Sequence, residues 1–470
     1  MGQVIKTGLG VLVSRLSQPL LSFVLFWFSS RILSLSDFGI YVLLMGLIIL
    51  FQVLATLGLS PFLTREISLG KRPGVWVGSL LWLLGPFSLV AWAVLVGLAI
   101  ALGYSHEAIV GSIIIGLSLP FGSFSQSMES VFIAQGQAKA MVYLGLGENI
   151  FRVAISVAAL LMGWGLYGLL WCYVISRAGG CLWSYILYRK YRNSPLQSDP
   201  DCRRMLWRAV PTFGVMVIAA TLYFRVDILA ISSLLDEENL AYYGVAMRLF
   251  GLGLIIPDSF VTAVFPEMTR NLSSDRPAAM RFFGTVARLL CSACFLGIFA
   301  TLLFSDFFIT LIFGEKFAPA APIMNILILM LPCYAINALS GYLIQAAKRE
   351  GVEMLLVVAG TLLCLLLNVA GIYYMGLPGA AWATCLANIT MLGAHLIIIH
   401  KIVGFFTPTR STLAMLAAMI ASLALLALLP SANWAILAAG LLFVVIMIVF
   451  KGLQPYDLAA VKALLKRGRK

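Results

Sequence analysis

Apolar windows bounded by charge, glycine or proline follow one another along the whole chain. They predict fourteen helices, at about residues 8–31, 39–63, 75–101, 108–133, 140–163, 165–188, 209–234, 240–265, 282–305, 317–345, 352–374, 377–400, 411–429 and 432–450. Most windows reach the roughly 20 residues that cross a bilayer as a helix. The connections between them are short. The longest predicted cytoplasmic one, YRKYRNSPLQSDPDCRRMLWR at 188–208, is polar, contains prolines and is densely basic.

Composition excludes a soluble enzyme. The 470 residues are 61% hydrophobic and 11% charged, with a mean hydropathy of +1.01. A soluble domain has roughly 45–50% apolar and about 25% charged residues. The net charge of +13 marks membrane orientation rather than nucleic-acid binding. With both termini cytoplasmic, 24 of the 32 Lys and Arg fall on the cytoplasmic side, two outside (Arg31 and Lys316) and six within helices, the bias that sets topology in membrane proteins. This places residue 104, the acidic 236–238 and residue 431 outside, and residues 72, 198, 274 and the C-terminus inside. The apolar run after MGQVIK contains Arg15 and lacks a small-residue cleavage site, so it reads as a retained first span. The eight cysteines lie in apolar helices, apart from Cys202, and predict no disulfide framework. Cys291 and Cys294 form a CxxC inside an apolar helix with no second ligand pair, which predicts packing rather than a metal site.

An internal repeat supports a division at the basic connection. GLYGLLW at 165–171 and GLPGAAW at 376–382 share G-L-x-G-x-x-W at a spacing of 211 residues. Each half holds an even number of helices, which makes the halves parallel repeats about an axis along the membrane normal. The expected organisation is an N-lobe at 1–190, a basic linker at 191–208, a C-lobe at 209–402, an appended helix pair at 403–452 and an amphipathic basic tail at 453–470. In the tail, Leu458, Val461 and Leu465 oppose Lys462, Lys466 and Arg469, as in an interfacial helix or a solvated basic end. The fold class is therefore an all-α integral membrane protein of about fourteen transmembrane helices, two six-helix lobes plus a pair.

Charged groups at bilayer depth are costly and mark functional sites. Arg15, Arg152, Arg177, Arg225, Arg248 and Arg288 lie within predicted helices, against Glu148, Asp227 and Asp258 as embedded acids. All six cations are Arg, suited to bidentate contacts with phosphate or carboxylate. Arg15, Gln18, Ser22 and Ser29 fall within about 60° of arc on the first helix, a polar stripe expected to line a water-filled cavity or to bond a neighbouring helix. Glu148 and Arg152 are spaced i, i+4 and so placed to pair on their own helix. Arg225 and Asp227, about 200° apart on a continuous helix, would face opposite sides, with Arg225 favoured for substrate. Arg248 is a further cavity candidate, while Asp258 is an ion site or a group satisfied by a neighbour. Arg177 stands alone on its helix, and Arg288 near a helix end is expected to snorkel. Asn325, Asn337, Asn368 and Asn388 read as interhelical hydrogen-bond partners. No phosphate-binding loop, catalytic triad or metal-hydrolase spacing occurs, so neither an enzymatic activity nor a cofactor is expected.

The segments SSRILSLSDFGIY (29–41), TLGLSPFLTRE (56–66), YFRVDILAI (223–231), TAVFPEMTR (262–270), FGEKFAPAAPIMNIL (313–327) and GLPGAAWATCLAN (376–388) resemble the polysaccharide flippase branch, of O-antigen type, of the multidrug, oligosaccharidyl-lipid and polysaccharide exporter superfamily. The resemblance implies two six-helix lobes around a central cavity and alternating access. It also implies transfer of a polyprenyl-linked sugar from the inner to the outer leaflet of the cytoplasmic membrane for surface polysaccharide assembly. Implied partners are the lipid-linked oligosaccharide, membrane lipids, glycosyltransferases and a polysaccharide polymerase. Two other readings stand beside it. An ion-coupled drug exporter of the same superfamily should show an acid-rich cavity, and a membrane glycosyltransferase should show carboxylates in a large outer loop.

Overall fold

The computed structural model describes residues 19–191, 194–223, 225–404, 409–428 and 433–450, and among these every regular element is helical. The first unit begins with α1 (Pro19–Ile32), α2 (Leu35–Ala55), α3 (Ser60–Ser68), α4 (Pro73–Ala101), α5 (His106–Gly116) and α6 (Ser118–Ala134). It continues with α7 (Ala138–Leu161), α8 (Gly165–Lys190), α9 (Pro200–Ala209), a π-helical turn at Val210–Gly214, α10 (Val215–Tyr223) and α11 (Val226–Leu234). The chain then forms α12 (Glu237–Ser274), α13 (Arg276–Phe313), α14 (Ala320–Ile328), α15 (Leu331–Ala346), α16 (Glu350–Met375), α17 (Leu377–Ile402), α18 (Arg410–Leu428) and α19 (Asn433–Val449). Two compact units result, dividing between Ala241 and Tyr242.

Among the described residues eight helical stretches, α5 and α6 counting as one, are each long and apolar enough to cross a membrane. The count becomes ten if each of the two bent pairs is one span, and three shorter apolar helices follow the same pattern. The expected fourteen is thus not confirmed on length and apolarity among the described residues, which omit much of the predicted first helix. Gly165–Lys190 fills the place of the sixth predicted helix, but Arg177, Arg189 and Lys190 lower its hydropathy.

Several helices differ from their apolar windows for local reasons. The window at 317–345 breaks between α14 and α15 with a 45° bend, because Pro332 at the start of α15 offers no N–H to the preceding turn. The window at 108–133 is interrupted between α5 and α6 two residues before Pro120. α12 and α13 each run 38 residues, well past their windows, and the polar extension of α12 carries an Arg270–Glu267 pair at i, i+3. The repeated glycine has the same job in both units: Gly165 opens α8 at φ +62° and Gly376 opens α17 at φ +63°, a left-handed conformation that a side chain would strain. Each starts the second helix of a packed antiparallel pair, α7 with α8 and α16 with α17.

The basic stretch between the expected lobes is docked rather than free. Gly74 N–H donates to Ser194 Oγ at 2.9 Å, Gln197 N–H to Gly74 O at 3.1 Å, Asp199 N–H to Ser79 Oγ at 2.8 Å, and Tyr188 Oη–H to Ser194 O at 2.6 Å. α9 then buries Cys202, Leu206 and Ala209 in a core with Leu63, Trp76, Leu80, Met128, Phe132 and Tyr188. A Cβ on Gly78 would stand 2.3 Å from the carbonyl oxygen of Gln197. Gly78→Ala is therefore expected to destabilise the first unit by about 1–3 kcal/mol and to speed proteolysis between residues 194 and 199, whereas Gly85→Ala, where a Cβ meets nothing within 4 Å, should leave digestion unchanged.

Candidate functional site

A cavity of about 340 Å³ opens within the first unit, lined by polar groups from four helices. α2 supplies Gln52, α6 supplies Ser125, Gln126 and Glu129, α7 supplies Glu148, Asn149 and Arg152, and α8 supplies Tyr173 and Arg177. The volume lies in the range of small-ligand sites, which are clefts with a few convergent polar groups.

Packing fixes how these side chains stand. α6 buries Ser118, Ser123, Ser125, Ser127 and Ser130 around its circumference, and small residues of this kind let helices approach closely. Gln52 Nε2 donates to Ser123 Oγ at 3.0 Å and Ser88 Oγ lies 3.2 Å from the same hydroxyl, which ties α2 and α4 to α6. On α8, Gly180 leaves the space that Glu148 occupies: a Cβ there would lie 2.5 Å from Glu148 Oε2.

Glu148 pairs across to α8, its Oε1 2.9 Å from Arg177 Nη1. The expected i, i+4 partner, Arg152, instead donates through Nη2 to Asn149 Oδ1 at 2.7 Å and to Ser22 Oγ at 3.2 Å. Arg177, expected alone, also donates through Nε to Tyr173 Oη at 3.3 Å and lies over that ring at 5.5 Å. An arginine on α8 that faces a carboxylate on α7 gains a direct pair, whereas Arg152 one turn along finds only neutral oxygens. Its Nε is buried without a hydrogen-bond partner, and no carboxylate lies within 4.0 Å of its guanidinium among the described residues.

Glu129 was not among the embedded acids expected from the sequence, yet it lines this cavity. Its signal was present, an acid within the serine-rich QSMES in an apolar window. With Glu129 and Glu148 against Arg152 and Arg177, this cavity holds two carboxylates and two guanidiniums, so the expected excess of Arg is not concentrated here.

The remaining candidates are dispersed. Arg15 and Gln18 lie outside the described residues, as does the amphipathic tail; of the same stripe, Ser22 meets Arg152 and Ser29 bonds its own helix at Leu25 O, 2.8 Å. Arg225 and Asp227 are not on one continuous helix. The chain leaves α10 at Tyr223 and resumes at Val226, with Arg225 as the N-cap of α11 at φ −135°, ψ −2°, so the 200° separation does not apply. Asp227 is 5% exposed and accepts the Ile228 N–H at 2.8 Å. Neither lines the cavity.

In the second unit Arg248 is partly exposed on α12, and the exposed Asp258 accepts the Tyr334 hydroxyl at 3.2 Å. Arg288 does not snorkel: it is 6% exposed and donates to Thr409, Thr412 and Thr285. Asn337 donates to Asn388 O across helices at 2.9 Å, whereas Asn368 bonds within its own helix to Cys364 O. Among the described residues no group of three His, Cys, Asp or Glu is placed to hold a metal.

The model of the family described as polysaccharide biosynthesis protein matches residues 12–322. The chain is 25% identical over 393 residues to the probable low-salt glycan biosynthesis flippase Agl15 of Haloferax volcanii, covering 80% of this chain and 79% of that one. In fold it is similar to the lipid II flippase MurJ in an inward closed conformation, with a TM-score of 0.73 and 14% identity over 96% of this chain and 99% of that one. It is also similar to an inward-facing multidrug resistance transporter of the MATE family in the MOP superfamily, with a TM-score of 0.61 and 15% identity over 83% and 98%. With its family model matched over most of the chain and the fold of multi-pass MOP transporters, the chain belongs to the polysaccharide biosynthesis protein family.

Proposed function

We propose that the protein is a secondary transporter that flips a polyprenyl-diphosphate-linked oligosaccharide across the cytoplasmic membrane by alternating access, for surface polysaccharide assembly. The observation that carries this reading is Arg152, a guanidinium in a membrane-embedded cavity that donates to the neutral oxygens of Ser22 and Asn149, lies 6.0 Å from the Tyr173 ring centroid and has no carboxylate partner among the described residues. A partly buried cation without a carboxylate is costly until an anion arrives, and a diphosphate or acidic sugar matches the guanidinium fork. The likeness to a probable glycan biosynthesis flippase supports the same substrate class. The cationic-drug reading is disfavoured, because a cavity with as many guanidiniums as carboxylates does not favour cations.

Arg177, near the same Tyr173 ring, takes part once its pair with Glu148 loosens. Arg15, Gln18, Arg225 and Arg248 are proposed as further contacts along the route, and Asp227, Asp258 and Glu148 as ion-coupling groups, joined now by Glu129. The lipid tail stays in the bilayer while glycosyltransferases supply the substrate and a polymerase consumes it. The sorting of Lys and Arg supports cytoplasmic termini. Energy comes from an ion gradient or the membrane potential, one elementary charge across 100 mV being worth about 2.3 kcal/mol.

The test is a proteoliposome assay with a fluorescent polyprenyl-diphosphate-linked sugar and no ATP. Leaflet exchange that depends on the protein and on an imposed gradient is expected. Export of a cationic dye with no exchange of the lipid-linked sugar would replace this reading with the drug-exporter one.

A further inference from the structure

The second unit contains a buried titratable pair that the proposed transport site does not use. His395 on α17 is 3% exposed, and its two ring nitrogens meet oxygens on three helices. Nε2 lies 3.2 Å from Glu353 Oε2 on α16. Nδ1 lies 3.2 Å from Asn337 Oδ1 on α15 and 3.0 Å from the Met391 carbonyl on its own helix. The orientation of Asn337 is not arbitrary, because its Nδ2 donates to the Asn388 carbonyl at 2.9 Å, which only accepts. Oδ1 is therefore the atom that faces the imidazole.

Hydrogen-bond accounting then fixes the proton content. The Asn337 and Met391 oxygens only accept, so Nδ1 must carry a hydrogen. The remaining contact, Nε2 to a carboxylate oxygen, needs one more proton, on either atom. Either His395 is an imidazolium beside an ionised Glu353, or a protonated Glu353 donates to Nε2 of a neutral ring. The two states hold the same number of protons and both are electrically neutral. Without that proton a nitrogen lone pair would face a carboxylate oxygen where water has little access, an arrangement with no compensation.

We propose that His395 and Glu353 form a proton-binding site whose bound proton clasps α15, α16 and α17 together. Glu353, the fourth residue of α16, retains 17% side-chain exposure and is the route by which the proton enters. Gly341 on α15 permits the arrangement, since a Cβ there would stand 2.6 Å from Glu353 Oε1. The other charged or titratable groups near this end of the three helices are Glu350 on α16, Tyr342, Lys348 and Arg349 on and just after α15, and His400 and Lys401 on α17. None of them pairs with His395 or Glu353 among the described residues.

The test uses the full chain purified in detergent and reads the melting temperature between about pH 6 and pH 9, around the range in which histidine titrates. Stabilisation that requires a bound proton is present at acid pH and lost as pH rises. Glu353→Gln removes that requirement, because the glutamine amide N–H donates to Nε2 of a neutral imidazole. The wild-type melting temperature is therefore expected to fall by about 3 °C or more relative to Glu353→Gln across the range, near the shift that 1 kcal/mol produces. His395→Gln, which holds no exchangeable proton at this position, should also lose the pH-dependent part while melting lower throughout. Curves for wild type and both variants that stay parallel at every pH would show a structural contact without proton exchange and overturn the proposal. If Glu353→Gln alone does not fold, the double variant His395→Gln/Glu353→Gln, a neutral amide pair, gives the same comparison.

Discussion

Arg152→Ala is expected to abolish flipping of the lipid-linked sugar, with activity down by at least about 100-fold, while the protein stays inserted and abundant. The magnitude follows from losing a charge-assisted bidentate contact in a low-dielectric site, about 3 kcal/mol, where each 1.4 kcal/mol is a factor of ten. Abundance should hold because the lost partners are neutral. Asn149 also donates to the Gly145 carbonyl, and Ser22 is only partly buried. Arg152→Lys should restore part of the activity, since an ammonium keeps the charge and loses the fork. The measurement is expression-normalised surface polysaccharide in a flippase-deficient cell, together with leaflet exchange in proteoliposomes. Full complementation by Arg152→Ala would remove the anionic-substrate reading from this cavity.

Arg177→Ala should behave in the opposite way. Its loss strands the Glu148 carboxylate, whose side chain is only 12% exposed, and breaking a buried pair from one side costs about 3–5 kcal/mol. Arg177 keeps 26% exposure, which puts the expected cost at the lower end, about 3 kcal/mol. Abundance and melting temperature are therefore expected to drop before activity is considered. Arg177→Gln/Glu148→Gln should recover most of the stability, because two amides of similar shape replace two charges without leaving either unpaired. A double variant no more stable than Arg177→Ala would show that the pair does not hold α7 to α8. Together the two variants separate a guanidinium without a carboxylate from one held in an ion pair within a single cavity.

The helix windows and the repeated glycine turn were legible from the sequence because each depends on the bilayer or on local backbone geometry. An apolar run of about 20 residues has only a helix available to it in lipid. The repeated G-L-x-G-x-x-W marks the same turn twice because Gly165 and Gly376 both take a positive φ. What could not be read was which charge meets which. The i, i+4 rule favoured Glu148 with Arg152, but a neighbouring helix offered Arg177, and a direct contact across helices outweighs the few tenths of a kcal/mol of an intrahelical pair. The geometry of Arg225 and Asp227 also depended on a break between Tyr223 and Val226 that no proline at that point announces.

Glu129, His395 and Glu353 went unremarked for a related reason. A lone acid near the end of an apolar window reads as a surface charge until another helix closes over it. The sequence by itself determined a membrane-embedded, all-helical protein with arginines in its spans, because hydropathy and periodicity are local quantities. Only the tertiary structure decided that Arg152 meets no carboxylate among the described residues, that Glu148 belongs to Arg177 and that His395 meets oxygens on three helices. Those are distances between residues 29 to 130 positions apart along the chain, set by side-chain volume and helix packing rather than by spacing.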